Sequence, residues 1–227
     1  MKLSACYIVK NEEKVLQTSM ESLAESVDEF IVVDTGSQDS TLRIAGRFGA
    51  DVSYFPWQDD FSGPRNAAIE RATGDWIVFL DADEFLSAET RRNLRTLLEK
   101  LSPQSVDGLA VPWRNIDTDH GNRLLLDSFA LRIFPRREEL RFCGRIHEEL
   151  RKEGRPLSHI LQLLPQELQI IHTGYSDGIA GKKAARNLRL LRQELRESSH
   201  PERVYGYLAD AYLGLGNVQE AEKYAYL

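Results

Sequence analysis

Three acidic residues follow an apolar run in the stretch GDWIVFLDADEFL at residues 74–86, namely Asp81, Asp83 and Glu84. Because an isolated buried carboxylate is costly, acids at the end of a buried strand are expected to be paired or to hold a metal ion. On a strand, Asp81 and Asp83 would point to one side and Ala82 to the other. Two such aspartates suit Mg²⁺ or Mn²⁺, although acids at a strand end can also be merely solvated. Glu84, on the opposite side, is interpreted as a structural residue.

Further polar residues follow the other predicted strands. Lys10, Asn11 and Glu12 come after the first strand, and Asp34 comes after the second. A carboxylate at the position of Asp34 can accept a hydrogen bond from a ribose hydroxyl or a base N–H, or it can form an Asx turn. Asp39 and Ser40 suit helix capping better. Asp34 is therefore interpreted as a ligand-binding residue.

The remaining candidates each have a less specific alternative. Arg65, in FSGPRNAAI, lies near the start of a predicted helix, where a guanidinium and a helix N-terminus together suit a diphosphate; a surface arginine is equally compatible. GRIHEEL contains His147, Glu148 and Glu149, and IIHTGY contains His172. Glu148 could be a general base for an acceptor hydroxyl or thiol, and His172 could complete the metal site. A single histidine is nevertheless more often structural.

The first hundred residues alternate between strand and helix patterns. Apolar runs predict strands at 3–9, 28–37, 51–55 and 75–82, and helical periodicity predicts helices at 11–27, 39–50 and 61–73. Continuously apolar strands separated by helices indicate a mainly parallel sheet covered on both faces. Ligands on such sheets bind beyond the carboxyl ends of the strands. The polar residues at these strand ends are therefore expected to share one pocket.

The second half of the chain has a different pattern. After a helix near 87–101, the stretches DGLAVPWRNID, SFALRIFPRR and QELQIIHTGYS predict strands, and LRFCGRIHEEL predicts a strand or loop. Pro112 and Pro135 indicate edges or strand ends. We expect this half to be an α+β extension that completes the pocket.

From about residue 178 the chain is predicted to be helical. Leu208, Ala209, Tyr212, Gly216, Ala221 and Tyr224 stand at positions resembling one tetratricopeptide repeat. Because one repeat cannot bury its own face, we expect either a longer parent protein or a two-helix cap packed on the catalytic half. Helices of this kind would also offer a surface for a protein partner.

Composition and termini narrow the functional classes. The 227 residues carry a net charge of −6, which gives no reason to expect a nucleic-acid partner. Cys6 and Cys143 have no CxxC partners, so neither a zinc site nor a disulfide framework is predicted, and Cys6 is expected to be a buried free thiol. From the sequence, neither a signal peptide nor a membrane-spanning segment is expected. We expect a cytoplasmic protein, with peripheral contact at the inner face of the membrane left open.

Taken together, the motifs resemble those of a known family. YIVKNEE, EFIVVDTGSQDSTLRIAGRFGADV, WQDDFSGPRNAAIERATGDWIVFLDADE, FCGRIHEEL and IHTGY resemble, in order and spacing, the family 2 inverting glycosyltransferases of the GT-A fold. The most similar subgroup is bacterial and often carries tetratricopeptide repeats after the transferase domain. The resemblance covers about residues 1–176. It implies an α/β GT-A domain at 1–176 and a helical, tetratricopeptide-like segment at 177–227.

The resemblance also implies a nucleotide-sugar donor, with a UDP-sugar favoured, and a Mn²⁺ or Mg²⁺ ion. The implied acceptor is a glycan, a lipid-linked molecule, or a peptide or protein. The implied donor-binding residues are Lys10, Asn11, Glu12, Asp34, Arg65, Asp81 and Ala82. The implied metal ligands are Asp83, Asp81 and His172. Many family members use an acid of a Glu-Asp pair as the catalytic base. This chain has HEE instead, so the base is assigned to Glu148, with His147 as the second candidate.

Two other functions are compatible with an α/β nucleotide-binding fold. A sugar-1-phosphate nucleotidyltransferase would present a Gly-rich loop after the first strand, but no glycine precedes Gly36. A non-catalytic nucleotide-binding or tetratricopeptide scaffold would not need Asp34, Arg65, Asp81 and Asp83 together. The favoured mechanism is one in-line displacement that inverts the anomeric carbon and needs no covalent sugar–enzyme intermediate.

Overall fold

The computed structural model describes residues 1–174, 177–197 and 200–227, while the side chains of 175–183 and 198–199 lie outside that description. The strands are β1 Leu3–Val9, β2 Glu29–Asp34, β3 Asp51–Tyr54, β4 Trp76–Phe79, β5 Glu84–Leu86, β6 Gly108–Asp117, β7 Arg123–Pro135, β8 Leu140–Cys143, β9 Glu149–Lys152, β10 Arg155–Pro156, β11 Ile160–Gln162 and β12 Ile170–His172. The helices are α1 Leu16–Leu23, α2 Thr41–Arg47, α3 Ser62–Arg71, α4 Asn93–Glu99, α5 Asp177–Glu197, α6 Glu202–Gly214 and α7 Val218–Ala225.

A large mixed sheet forms the centre of the protein. Its strands run in the order β3–β2–β1–β4–β7–β6–β12–β5, with β11 also paired to β6, and β10–β9–β8 form a small second sheet. β1, β2, β3 and β4 pair in parallel, whereas β7 is antiparallel to both β4 and β6. The predicted β-α-β-α-β-α-β order and the mainly parallel α/β sheet are confirmed.

The first strand shows why this half of the sheet forms. Alternate residues of β1 enter two different cores: Tyr7 packs in one with Met20 and Trp76, and Cys6 packs in the other with Phe79 and other apolar residues. A strand that is buried on both faces needs an uninterrupted apolar run. Burying a large side chain of this kind contributes about 1.5–3 kcal/mol. Cys6 is a buried free thiol, as expected.

The helices of the first half are shorter than predicted. The residues directly after β1 form a loop rather than the first turns of a helix. Asn11 has a φ of 58°, and the Glu12 backbone N–H donates to Thr41 Oγ1 at 2.7 Å. The Glu13 N–H likewise donates to Asp39 at 3.2 Å. The loop after β1 is thereby tied to the loop after β2, and α1 cannot begin until Leu16.

The prolines of the second half behave differently from each other. Pro135 ends β7, as predicted, but Pro112 lies inside β6 and opposite Phe129 of β7. On its other side β6 pairs with β11 at 108–110 and with β12 at 113–115. Pro112 therefore falls in the gap between two short partners, where proline removes no ladder hydrogen bond on that side.

The C-terminal helices pack against the rest of the protein. Leu190, Leu191, Leu208 and Tyr212 form a core with Ile146, and Trp57 and Phe61 lie against the same core. α6 and α7 form a helical hairpin, in which Asn217 caps α7 by accepting from the Glu220 N–H at 3.2 Å. The predicted domain boundary at 176/177 lies at the edge of residues 175–176, which are outside the described part. Across the described residues, no helix is both long and apolar enough to cross a membrane.

Candidate functional site

A cleft of about 440 Å³ opens beyond the carboxyl ends of β1 and β4. Ile8 and Glu12 line it from the first strand and its loop, and Ala82 lines it from the loop after β4. Its far wall comes from β7, β12, the loop before β9, and α5. The position at the strand ends is the one that a parallel sheet predicts.

Asp81 and Asp83 lie in a turn rather than on a strand. β4 ends at Phe79, and the Glu84 N–H donates to the Asp81 carbonyl at 3.0 Å. Glu84 Oε2 in turn accepts from the Asp81 N–H at 3.1 Å. The two aspartates therefore do not lie on the strand that the sequence predicted, although both line the cleft. The turn sends the two carboxylates to different partners.

An arginine from β7 connects Asp81 with Glu84. Glu84 is fully buried and accepts hydrogen bonds from Trp113 Nε1 at 2.8 Å and from Arg132 Nε at 2.8 Å. Arg132 Nη2 also donates to Asp81 Oδ2 at 2.9 Å. Burial alone would raise the pKa of Asp81. The positive charges of Arg65 and Arg132 outweigh this effect and hold the pKa of Asp81 well below its usual range. Glu84 is thus a positioning residue, as interpreted from the sequence.

Arg65 joins Asp81 to Glu148. It is only 5% exposed, in the first turn of α3, and its guanidinium carbon lies 4.7 Å from the Phe79 ring and 5.3 Å from the Phe142 ring. Nη2 donates to Asp81 Oδ1 at 2.7 Å, and Nε donates to Glu148 Oε1. A guanidinium enclosed in this way holds two carboxylates in place. Arg65 is therefore a clamp in the wall of the cleft, and its contact with a donor diphosphate stays a prediction.

Asp83 lies beside His172 in the lining of the cleft. His172 Nδ1 lies 3.1 Å from Asn115 Oδ1, its ring stacks on Trp113 at 4.5 Å, and its Nε2 lies 3.4 Å from Asp83 Oδ2. With the Asn115 oxygen as acceptor, Nδ1 carries the proton and Nε2 presents a lone pair toward the carboxylate. A Cβ at Gly174 would collide with both of these atoms. Glycine thus keeps space beside a nitrogen and an oxygen that both suit a divalent cation.

The fit to a metal ion rests on these two side chains. Within the described residues there is no group of three or more His, Cys, Asp or Glu side chains that could hold a metal. Both oxygens of Asp81 accept hydrogen bonds from arginines. A Mn²⁺ or Mg²⁺ ion commonly uses one or two protein carboxylates and completes its shell with substrate phosphates and water. Asp83 and His172 fit such a site, and a direct contact of Asp81 with the metal stays a prediction.

The two candidate bases have different surroundings. Glu148 is anchored through Oε1 by Arg65, and its Oε2 accepts no hydrogen bond from the described residues. His147 has a φ of 52° and stacks on Tyr207 with ring centroids 3.8 Å apart. Burial lowers the pKa of His147. His147 is therefore a wall residue, whereas Glu148 is a fixed carboxylate with one oxygen turned away from its anchor.

Comparison with known families agrees with this geometry. The sequence model of glycosyl transferase family 2 matches residues 4–151, which is more than half of the chain. The chain belongs to glycosyl transferase family 2.

Two curated relatives are longer than this family 2 chain. It is 31% identical over 224 residues to the SPbeta prophage-derived glycosyltransferase SunS of Bacillus subtilis, which covers 96% of this chain and 50% of SunS. It is 40% identical over 146 residues to a TPR repeat-containing protein of Synechococcus elongatus, which covers 64% of this chain and 34% of that protein. The chain spans half or less of the length of these relatives.

Solved structures support the same fold. Residues 1–349 of S. aureus TarS superpose with a TM-score of 0.56 at 17% identity, covering 94% of this chain and 72% of that one. A complex of the same TarS fragment with UDP-GlcNAc gives a TM-score of 0.56 over 94% of this chain and 73% of that one, also at 17% identity. The predicted GT-A fold is confirmed.

The predicted donor-binding residues of this family 2 chain fall into two groups. Glu12, Arg65, Asp81 and Ala82 line the cleft. Lys10, Asn11 and Asp34 are not part of its described lining. Asn11 Oδ1 accepts from the Gln38 N–H at 2.7 Å, and Asp34 accepts from the N–H groups of Gly36 and Ser37. Asp34 thus forms the Asx turn that was its alternative, and its contact with a nucleoside stays a prediction.

The sequence analysis missed several residues of the cleft. Arg132 lies within the apolar stretch FALRIFP, where a charged residue in a strand signals a buried partner. Asn115, which contacts His172, gave no such signal. Arg186 and Asn187 line the cleft from α5. They stand in a helix rich in arginine, where nothing in the sequence distinguishes one arginine from the next.

Proposed function

We propose that this chain is a metal-dependent, inverting glycosyltransferase that moves a sugar from a UDP-sugar to a glycan, lipid-linked, peptide or protein acceptor. Membership of glycosyl transferase family 2 supports sugar transfer. A protein of the same fold, TarS, has been crystallised with UDP-GlcNAc and with UDP, which supports a uridine nucleotide. The observation that carries the metal dependence is the 3.4 Å approach of His172 Nε2 to Asp83 Oδ2, with Asn115 behind the ring.

The proposed transfer uses the two sides of the cleft. Glu148 Oε2 takes the proton of the acceptor, whose freed electron pair attacks the anomeric carbon. The bond from that carbon to the diphosphate oxygen breaks, and the nucleoside diphosphate leaves on the opposite face with the bonding electrons. Asp83 and His172 would hold a Mn²⁺ or Mg²⁺ ion, which when bound neutralises charge on the leaving diphosphate. Arg65 keeps the Glu148 carboxylate in a fixed position, because the Arg65 guanidinium is itself held between two aromatic rings.

Two further statements belong to the same proposal. Residues 1–176 form the transferase unit, and 177–227 form a tetratricopeptide-like segment that offers a surface to a protein partner; the TPR repeats in the name of the Synechococcus elongatus relative support this. The protein works in the cytoplasm, in keeping with its two free cysteines, Cys6 and Cys143.

The decisive test is a donor screen with an Asp83 variant. UDP-, GDP- and dTDP-sugars are compared by release of the nucleoside diphosphate, with and without EDTA. UDP with Mn²⁺ is expected to stabilise the chain against heat, by about 2.7 kcal/mol at a hundredfold excess over Kd. Asp83→Asn keeps the size of the side chain but removes its charge, so it should lose the metal-dependent part of both signals.

Asp127→Asn is the matched control, because Asp127, on β7, pairs with Arg114 of β6 and is not part of the described lining of the cleft. Full metal-dependent turnover by Asp83→Asn would show that the metal assignment is wrong. If no nucleoside diphosphate stabilises the unmodified chain, the non-catalytic scaffold becomes the better interpretation.

Asn115→Ala tests the orientation of His172. Without the Asn115 oxygen, Nδ1 loses its acceptor, and the tautomer with a lone pair on Nε2 is no longer favoured. We expect the Mn²⁺ concentration for half-maximal activity to rise about 10- to 100-fold. Asn115→Asp, which retains an acceptor oxygen, should recover part of the affinity. An unchanged Mn²⁺ requirement in Asn115→Ala would contradict this role.

A further inference from the structure

Helix α5 brings to the cleft an arginine that has no ion-pair partner among the described residues. Arg186 lines the cleft, and its guanidinium carbon lies 5.1 Å from the centre of the Phe61 ring. Nε and Nη2 donate to Asn187 Oδ1 at 3.2 and 3.0 Å. In the part of the chain that the structure describes, no carboxylate lies within ion-pair distance of Arg186. An exposed cation is thus held over an aromatic ring at the edge of the cleft.

The two other arginines in the described lining of the cleft are already paired with carboxylates. Arg65 is bound by Asp81 and Glu148, and Arg132 is bound by Asp81 and Glu84. Each of these guanidiniums therefore has its charge balanced by carboxylates. Neither can turn toward a ligand without leaving a buried acid without its partner, which is costly.

The charges in the cleft indicate which kind of ligand Arg186 can bind. Partial burial lowers the pKa of Arg186, and the negative charges of Glu148 and Glu12 oppose that effect. Arginine stays protonated across the physiological range. A nucleoside diphosphate brings at least two negative charges to a cleft that already holds carboxylates. A divalent ion at Asp83 and His172 would offset part of this charge, and a further cation in the cleft lining would offset more of it.

We propose that Arg186 binds the diphosphate of the donor and of the departing nucleoside diphosphate, so that the C-terminal helical segment completes the donor site. This inference rests on the proposed function. A guanidinium suits the task because its planar N–H groups match two phosphate oxygens at once. The hydrogen bonds to Asn187 and the contact with the Phe61 ring hold the guanidinium in place.

The same helix provides a matched control. Arg189 lies one turn further along α5, and its guanidinium binds Asp59 with Nη2 at 2.6 Å from Oδ1. Arg189 is not part of the described lining of the cleft. Replacing it removes one positive charge from α5 without touching the proposed diphosphate contact.

The test compares UDP with uridine, because only UDP carries phosphates. Binding of each to the full chain with Mn²⁺ is measured by calorimetry for the unmodified protein and for Arg186→Ala, Arg186→Gln, Arg186→Lys and Arg189→Ala. Arg186→Ala and Arg186→Gln should weaken UDP binding about 10- to 100-fold, the range for a hydrogen bond to a charged group. Uridine binding should stay unchanged in both. Arg186→Lys should lose less, because its charge remains, and Arg189→Ala should match the unmodified protein.

The outcomes separate this inference from the proposed function. If the unmodified chain binds UDP and Arg186→Ala binds it equally well, the role of Arg186 is wrong and the proposed function stands. An equal loss of UDP and uridine binding would also overturn the role, since it would mark a structural effect. If the unmodified chain binds no UDP, both the proposed function and this inference fail.

Discussion

Replacing Glu148 by glutamine is expected to lower kcat by about 10²- to 10⁴-fold, the usual contribution of a positioned general base. Glutamine has nearly the same shape and can still accept the hydrogen bond from Arg65 Nε through its carbonyl oxygen. It cannot take a proton from the acceptor. The KM for the nucleotide-sugar should therefore change little, because the loss is confined to the transition state. Steady-state kinetics with the donor identified by the screen would measure both constants.

The adjacent Glu149 gives a sharp comparison for Glu148. Its side chain is 61% exposed and pairs with Arg151 at 2.9 Å, so it makes no contact with Arg65 or Asp81. Glu149→Gln should therefore keep the kcat of the unmodified protein. A loss in Glu149→Gln with no loss in Glu148→Gln would transfer the role of base to Glu149. Retained activity in both variants would rule out either glutamate.

The first half of the fold could be predicted because its signals are local. The apolar runs of β1 and β4 are buried on both faces, and only a sheet covered on each side gives such runs a place. The order of strands and helices then fixes where a pocket can lie. Helix ends were less predictable, because the loop after β1 is shaped by contacts with Thr41 and Asp39, which are distant in sequence.

The acidic residues of the site could be predicted from the sequence, but the partners with which they pair could not. Asp83 and His172 are 89 positions apart, and β12 brings them together by pairing with β5 and β6. Arg132 reaches Asp81 and Glu84 through an antiparallel pairing of β7 with β4 that periodicity does not reveal. Without knowledge of Arg132, Asp81 remained a candidate metal ligand. The structure instead gives both of its oxygens to arginines.

The second large effect concerns stability. Arg65→Met is expected to reduce the free energy of unfolding by about 3–5 kcal/mol, the usual cost of removing one partner from a buried ion pair. Methionine can fill the space between Phe79 and Phe142, so packing is largely kept. Glu148, whose side chain is 11% exposed, would lose its only described ion-pair partner, and Asp81 would keep only Arg132. Urea unfolding followed by circular dichroism would measure the change.

A second substitution separates charge from packing. In the Arg65→Met background, Glu148→Gln removes the carboxylate that has lost its partner, so the double variant should be more stable than Arg65→Met alone. If the loss came from packing, Glu148→Gln would restore nothing. Arg71→Met is the control on the same helix: Arg71 pairs with Asp51 at 2.6 Å, but both side chains are more than 40% exposed. Solvent screens such a pair, and its removal should change stability little. Equal effects of Arg65→Met and Arg71→Met would mean that Arg65 does not clamp the two carboxylates, and the fixed position of Glu148 would then need another cause.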